Sequence, residues 1–97
     1  MWIVYCVYAP GELPVYIGQT HIRHGESPED AAQRRFRRHL QDAQRGSRIP
    51  FHCYLRQEPE TYTEVIGLVS SRDAADDVEG MWIRCLPELT NALGSSA

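Results

Sequence analysis

The sequence predicts a small α+β domain, a three-stranded antiparallel sheet flanked by helices. Three observations lead there. Two runs rich in β-branched and aromatic residues lie close together near the N-terminus, a third lies near residue 65, and the segments after the second and third runs carry helix start and stop signals.

The first run is Trp2 to Tyr8 and the second Val15 to Gln19. Ala9-Pro10-Gly11-Glu12-Leu13-Pro14 between them supplies turn residues, so the two are expected to pair antiparallel through a hairpin-like connection. His21 to Glu26 reads as a loop. Ser27 can then cap a helix, Pro28 suits its first position and Asp30 can close a capping box. That helix is expected to reach about Arg45, because Gly46 is a natural stop. Phe36 and Leu40 form its anchoring stripe. Ile49 to Arg56 is ambiguous, although Pro50 can open a short helix with Phe51, Tyr54 and Leu55 facing inward. Thr61 to Val69 is the third strand. Ser70-Ser71-Arg72-Asp73 offers another cap, and the helix that follows is expected to run to about Leu86, where Pro87 halts it. Ala75, Val78, Trp82, Cys85 and Leu86 make its apolar stripe.

A chain of 97 residues is expected to form a single domain over residues 1–97, with its core at about residues 2–92 and a frayed tail from Leu93 to Ala97. The apolar start, Met1 to Ala9, is too short to cross a bilayer and lacks the basic flank of a secretory signal. Cys6, Cys53 and Cys85 form neither an even framework nor a closely spaced ligand pair. Reduced, mostly buried thiols are therefore expected, in a cytoplasmic setting without membrane attachment. A zinc site drawn from His21, His24, His52, Cys53 and Cys85 has none of the usual paired spacings.

The net charge of −3 argues against a protein that grips nucleic acid with its whole surface, but the charge is unevenly placed. All ten basic residues are arginines. Seven of them lie between residues 23 and 48 against four acids, a local charge of +3 that leaves −6 for the rest of the chain. One face rich in arginine forks suits phosphate contacts; a solvated helix is the alternative.

Several polar residues suggest chemistry together that none suggests alone. Tyr5 and Tyr16 lie in strands, where a lone tyrosine usually packs. Gly18 follows Tyr16 by two, and a glycine inside a strand is unfavourable unless something approaches closely. Arg35 and His39 are four apart and share a helix face, and Glu79 borders the apolar stripe of the last helix. A carboxylate to hold a cation, a guanidinium to neutralise charge on phosphorus and a tyrosine or histidine to take a proton from water are the parts of metal-assisted phosphodiester hydrolysis.

The wording and order of these residues resemble the GIY-YIG endonuclease family. Ile3-Val4-Tyr5 corresponds to its first motif and Val15-Tyr16-Ile17-Gly18-Gln19-Thr20 to its second, followed by Arg35-Phe36-Arg37-Arg38-His39, then Glu79 and Asn91. The resemblance spans about residues 3 to 91. It departs in two places: Ile3 stands where the family usually has glycine, and the interval from Gly18 to Arg35 is longer than usual, implying an inserted loop around His21 to Glu26.

The resemblance implies a GIY-YIG nuclease-like fold and a DNA endonuclease dependent on Mg²⁺, with Mn²⁺ as the alternative ion. It makes Tyr5, Tyr16, Arg35, His39 and Glu79 catalytic, with Glu79 the metal ligand. Gly18, Arg34, Arg38 and Asn91 would meet the substrate. A stand-alone phage or mobile-element nuclease fits the absence of an attached DNA-binding module, and a homodimer or a targeting protein would supply specificity. The alternative is a non-catalytic nucleic-acid-binding or protein-interaction module that keeps the fold.

Overall fold

The computed structural model describes residues 1–58, 60–86 and 89. The expectations placed on Pro87, Asn91 and the tail from Leu93 to Ala97 lie outside the described residues. Six elements follow one another: β1 (Trp2–Ala9), β2 (Leu13–His21), α1 (Pro28–Gln44), α2 (Pro50–Gln57), β3 (Tyr62–Val69) and α3 (Arg72–Cys85). The strands form one antiparallel sheet in the order β2-β1-β3. The expected α+β class and its three strands are therefore present.

β1 is the central strand and is covered on both faces. Its odd positions Ile3, Tyr5, Val7 and Ala9 enter one core with Ala31, Ala32, Phe36 and Ala43 of α1 and Phe51 and Leu55 of α2. Its even positions Val4 and Cys6 enter a second core with Ile17 of β2, Ala75 of α3 and Leu89. This double burial explains why β1 reads as an unbroken apolar run rather than an alternating one. Each fully buried valine or isoleucine there contributes roughly 1.5–3 kcal/mol.

β2 runs from Leu13 to His21, beyond the expected Val15 to Gln19 at both ends. Cross-strand pairing is the reason, because β1 carries it the whole way from Ala9 opposite Leu13 to Trp2 opposite His21. Pro14 is tolerated since β2 is an edge strand. His21 therefore ends a strand rather than opening a loop. α1 is capped as expected, with Ser27 Oγ accepting from the Asp30 N–H at 3.1 Å. Gly46 follows it with a φ of +89°, a left-handed turn that glycine adopts freely. Pro50 does open a helix, with Phe51 and Leu55 buried.

Two expectations about cysteines are corrected. Cys85 is exposed and Cys53 only half-buried, leaving Cys6 as the buried thiol. The residues of α3 that pack on the second core are Ala75, Val78, Trp82 and Ile83, with Leu86 just beyond the helix, so Ile83 takes the place expected of Cys85. At about 100° per residue, Cys85 falls on the rim of that stripe. No described helix is long and apolar enough to cross a membrane.

Candidate functional site

Strand register brings the two tyrosines together. Tyr5 pairs with Gly18 and Val7 with Tyr16, and an irregularity between Val7 and Tyr8 leaves Val15 as the extra residue of β2. Tyr5 and Tyr16 are thus diagonal neighbours on the α1 side of the sheet, with ring centroids 6.4 Å apart. Gly18 makes this possible: a Cβ there would stand 2.5 Å from Tyr5 Oη and 2.8 Å from Tyr16 Cε2. Both rings are hemmed in by the core, so neither can yield cheaply. Gly18→Ala is expected to cost about 1–3 kcal/mol of stability through overpacking and to displace the Tyr5 hydroxyl. Urea unfolding that matches the parent would refute this account.

α1 supplies Arg35 and His39 from one face. His39 is 5% exposed, and its Nε2 lies 3.1 Å from Tyr5 Oη. Phe51 of α2 supports both rings, stacking on Tyr16 at 3.9 Å between centroids and meeting His39 edge-on at 5.1 Å. Burial, then the charge of Arg35 and then His52 push His39 down to about 3, so the ring is a neutral imidazole at physiological pH. Burial likewise raises the Tyr5 phenol above its ordinary value, with Tyr16 and Glu79 adding to the shift and Arg35 opposing it. Tyr16 is raised by burial and by Glu79, against Arg35.

A groove beside these groups is lined by Arg23, Arg34, Arg35, Arg38 and Asp42. Its arginines are not equivalent. Arg34 Nε and Nη2 hold Glu26 at 2.8 and 3.1 Å, and Nη2 also donates to the His21 carbonyl at 2.8 Å. Arg34 thereby clips the longer loop to α1. Arg38 lies 3.4 Å from Asp42 on an exposed surface, a weak pair. Among the described residues no hydrogen bond or ion pair holds the Arg35 guanidinium, although its charge acts on Tyr5, Tyr16, His39 and His52.

Glu79 projects half-buried from α3, close enough for its charge to act on both tyrosines. Its Oε2 is buried with no hydrogen-bond partner among the described residues, and so is Gln19 Oε1 on the neighbouring strand. The Gln19 amide donates to Asp76 Oδ1. Burial raises the Glu79 carboxyl, Asp76 raises it further, and the nearby Gln19 amide opposes both. Two orphaned oxygens, one of them on a carboxyl group, suit a hard oxygen-seeking cation. No group of three histidine, cysteine or acidic side chains converges among the described residues.

Tyr5, Tyr16, Gly18 and His39 are thus in contact, Arg35 and Glu79 stand within reach of both tyrosines electrostatically, Arg34 and Arg38 line the adjoining groove, and Asn91 lies outside the described residues. Sequence reasoning missed His52, Phe51 and Gln19 as site residues. Phe51 was recognised only as a core residue of the short helix, and His52 only as a zinc ligand to be dismissed. The local signal was their adjacency just after Pro50; nothing local indicated that α2 would meet His39. No family model, curated protein or solved structure matches the chain.

Proposed function

We propose that the chain is a divalent-metal-dependent DNA endonuclease of the GIY-YIG type, working in the cytoplasm. The observation that carries this reading is the Tyr5–His39 pair under the charges of Arg35 and Glu79, where among the described residues the Arg35 guanidinium has no hydrogen-bond or ion-pair partner and Glu79 Oε2 is buried without one. Unpaired charge at partly buried positions is costly, and a phosphodiester with its metal ion would engage both groups.

In this reading Arg35 neutralises charge developing on the attacked phosphate, and the tyrosines with His39 take the proton of the incoming water. Because burial holds the Tyr5 phenol above its usual range, Tyr5 serves as a base only in concert with His39, 3.1 Å away. Glu79 would hold the metal ion with Gln19 Oε1 beside it; when bound, the ion supplies charge neutralisation at the leaving 3′ oxygen. The products are a 5′-phosphate and a 3′-hydroxyl. One site per chain predicts nicking, with a double-strand cut requiring a dimer.

The test is nicking of supercoiled plasmid with Mg²⁺, with Mn²⁺ and with chelator. Cation-dependent nicking supports the reading. DNA binding without nicking under any cation would favour the non-catalytic module.

Arg35 and Arg37 offer a sharper comparison, because Arg37 is exposed and faces away. Arg35→Ala is expected to slow single-turnover cleavage about a hundredfold or more, as loss of a transition-state contact does. Arg37→Ala should weaken DNA association and its salt dependence instead. Equal loss of rate at saturating DNA would reject the assignment.

A further inference from the structure

The hydrogen-bonded pair of Tyr5 and His39 does not end at His39. His39 Nδ1 lies 2.8 Å from His52 Nε2, and His52 Nδ1 lies 2.6 Å from Ser47 Oγ. His52 is 3% exposed and His39 5%. Four polar side chains from β1, α1, α2 and the α1–α2 connection thus form one continuous chain of hydrogen bonds through the first core.

Its far end is firmly built. Ser47 Oγ also accepts from the Ile49 N–H at 3.3 Å, and the Ser47 carbonyl accepts from Arg56 Nη1 at 2.9 Å. The same Arg56 nitrogen donates to the Ala43 carbonyl at 2.7 Å, pinning the connection to the end of α1.

Both imidazoles are driven towards the neutral form, His39 by burial, Arg35 and His52, and His52 by burial, with Asp42 opposing and Arg35 and Arg56 assisting. A neutral ring has one N–H, so each histidine donates through one nitrogen and accepts through the other. Only two arrangements then keep every link of the chain. Either all protons point from Tyr5 towards Ser47, or all point from Ser47 towards Tyr5. The buried Tyr5 hydroxyl decides between them. Among the described residues its hydrogen-bond partner is His39, and in the second arrangement its O–H would be a buried donor without an acceptor.

We propose that His52 and Ser47 are positioning residues for the Tyr5–His39 pair: they hold His39 as the tautomer with its proton on Nδ1, leaving Nε2 bare to receive the Tyr5 hydroxyl. An imidazole in water prefers the opposite tautomer, with the proton on Nε2, so His52 sets which nitrogen faces the tyrosine. The role in catalysis rests on the nuclease reading. There, once bound DNA brings the attacking water to Tyr5 Oη, which in the free chain is buried against His39, the proton moves from Oη to His39 Nε2 as Oη takes one from that water; Tyr5 ends as it began, His39 gains a proton and the water becomes the attacking hydroxide. This is the arrangement of a base oriented by a third group.

The experiment is long-range ¹H–¹⁵N NMR of the histidine rings in ¹⁵N-labelled full chain without metal or DNA, combined with single-turnover cleavage at saturating DNA. The parent is expected to show His39 protonated at Nδ1. His52→Gln, whose amide oxygen accepts from Nδ1–H, should keep that tautomer; His52→Phe should shift it towards Nε2–H. Cleavage by His52→Phe should fall about tenfold or more with the DNA dissociation constant unchanged, and His52→Gln should recover most of the rate. Ser47→Ala, a change on a partly exposed connection, should shift the tautomer in the same direction and secures the test if His52→Phe does not fold. A parent protonated at His39 Nε2, or folded His52→Phe and Ser47→Ala proteins with the parent's tautomer, would overturn the proposal. The expected tautomer pattern in an inactive parent would support it and count against the nuclease reading alone.

Discussion

Cleavage is expected to vanish in a Glu79→Ala protein that nevertheless unfolds at a higher temperature than the parent at neutral pH. Both halves follow from one orphaned oxygen. Glu79 Oε2 is buried without a hydrogen-bond partner among the described residues. Burial, with Asp76 adding to it and Gln19 opposing, raises the carboxyl above its ordinary value of 4.5. A raised carboxyl pKa means that the ionised group is less comfortable in the folded chain than in the unfolded one. The folded state is therefore favoured below the unfolded value and loses that advantage as pH climbs through the folded value. Removing the carboxyl relieves the penalty where it is ionised, so the thermal advantage of Glu79→Ala should shrink as the pH is lowered towards 4. Added Mg²⁺ should raise the parent's melting temperature and leave the variant's unchanged, since a cation that binds only the folded chain stabilises it. Full Mg²⁺-dependent nicking by folded Glu79→Ala would remove Glu79 from the site. A variant that melts lower at pH 7 would show that its methylenes matter more than its charge.

Phe51→Ala should be the most damaging single truncation for stability. Phe51 is 1% exposed and stacks on Tyr16 with only 4° between ring planes. Losing a buried phenylalanine costs about 3–5 kcal/mol, a large part of the ~5–15 kcal/mol that holds a domain folded. The cavity would also leave Tyr16 and His39 without their common support, so the folded fraction should cleave slowly. Leu55→Ala is the control, because Leu55 is 4% exposed on the same helix in the same core. It should destabilise by about 2–5 kcal/mol, yet leave cleavage per folded molecule nearly intact. Urea unfolding gives the first quantity and single-turnover rates at matched folded fraction the second. Equal cleavage losses would mean that Phe51 is core alone.

The parts of the fold written in local chemistry could be read directly. Ser27, Pro28 and Gly46 bracket α1, and Ser71 caps α3 through the Ala74 N–H at 3.1 Å. Pro50 opens α2. The ends of β2 were less legible, because Leu13 and His21 are strand residues only through partners on β1. Cys85 was misplaced for a related reason: a wide apolar stripe does not reveal which of its edges meets the sheet. For the site, four-residue spacing put Arg35 and His39 on one face, and Gly18 signalled a close approach that proves to be the ring of Tyr5. Sequence spacing gave no account of what joins α1 to α2. The hydrogen bond from His39 to His52 spans thirteen residues and depends on how two helices dock.

The irregularity between Val7 and Tyr8 separates two regimes of the hairpin. On one side the ladder fixes Tyr5 opposite Gly18; on the other lie the exposed turn residues Pro10, Gly11 and Glu12, where Gly11 and Glu12 both take left-handed backbone. A bulge already absorbs one surplus residue there, so changes in the length of the tip need not propagate into the ladder beyond it. The tip is consequently a natural grafting point: a targeting peptide, a fluorophore or a whole second domain could be carried there while the paired tyrosines keep their register.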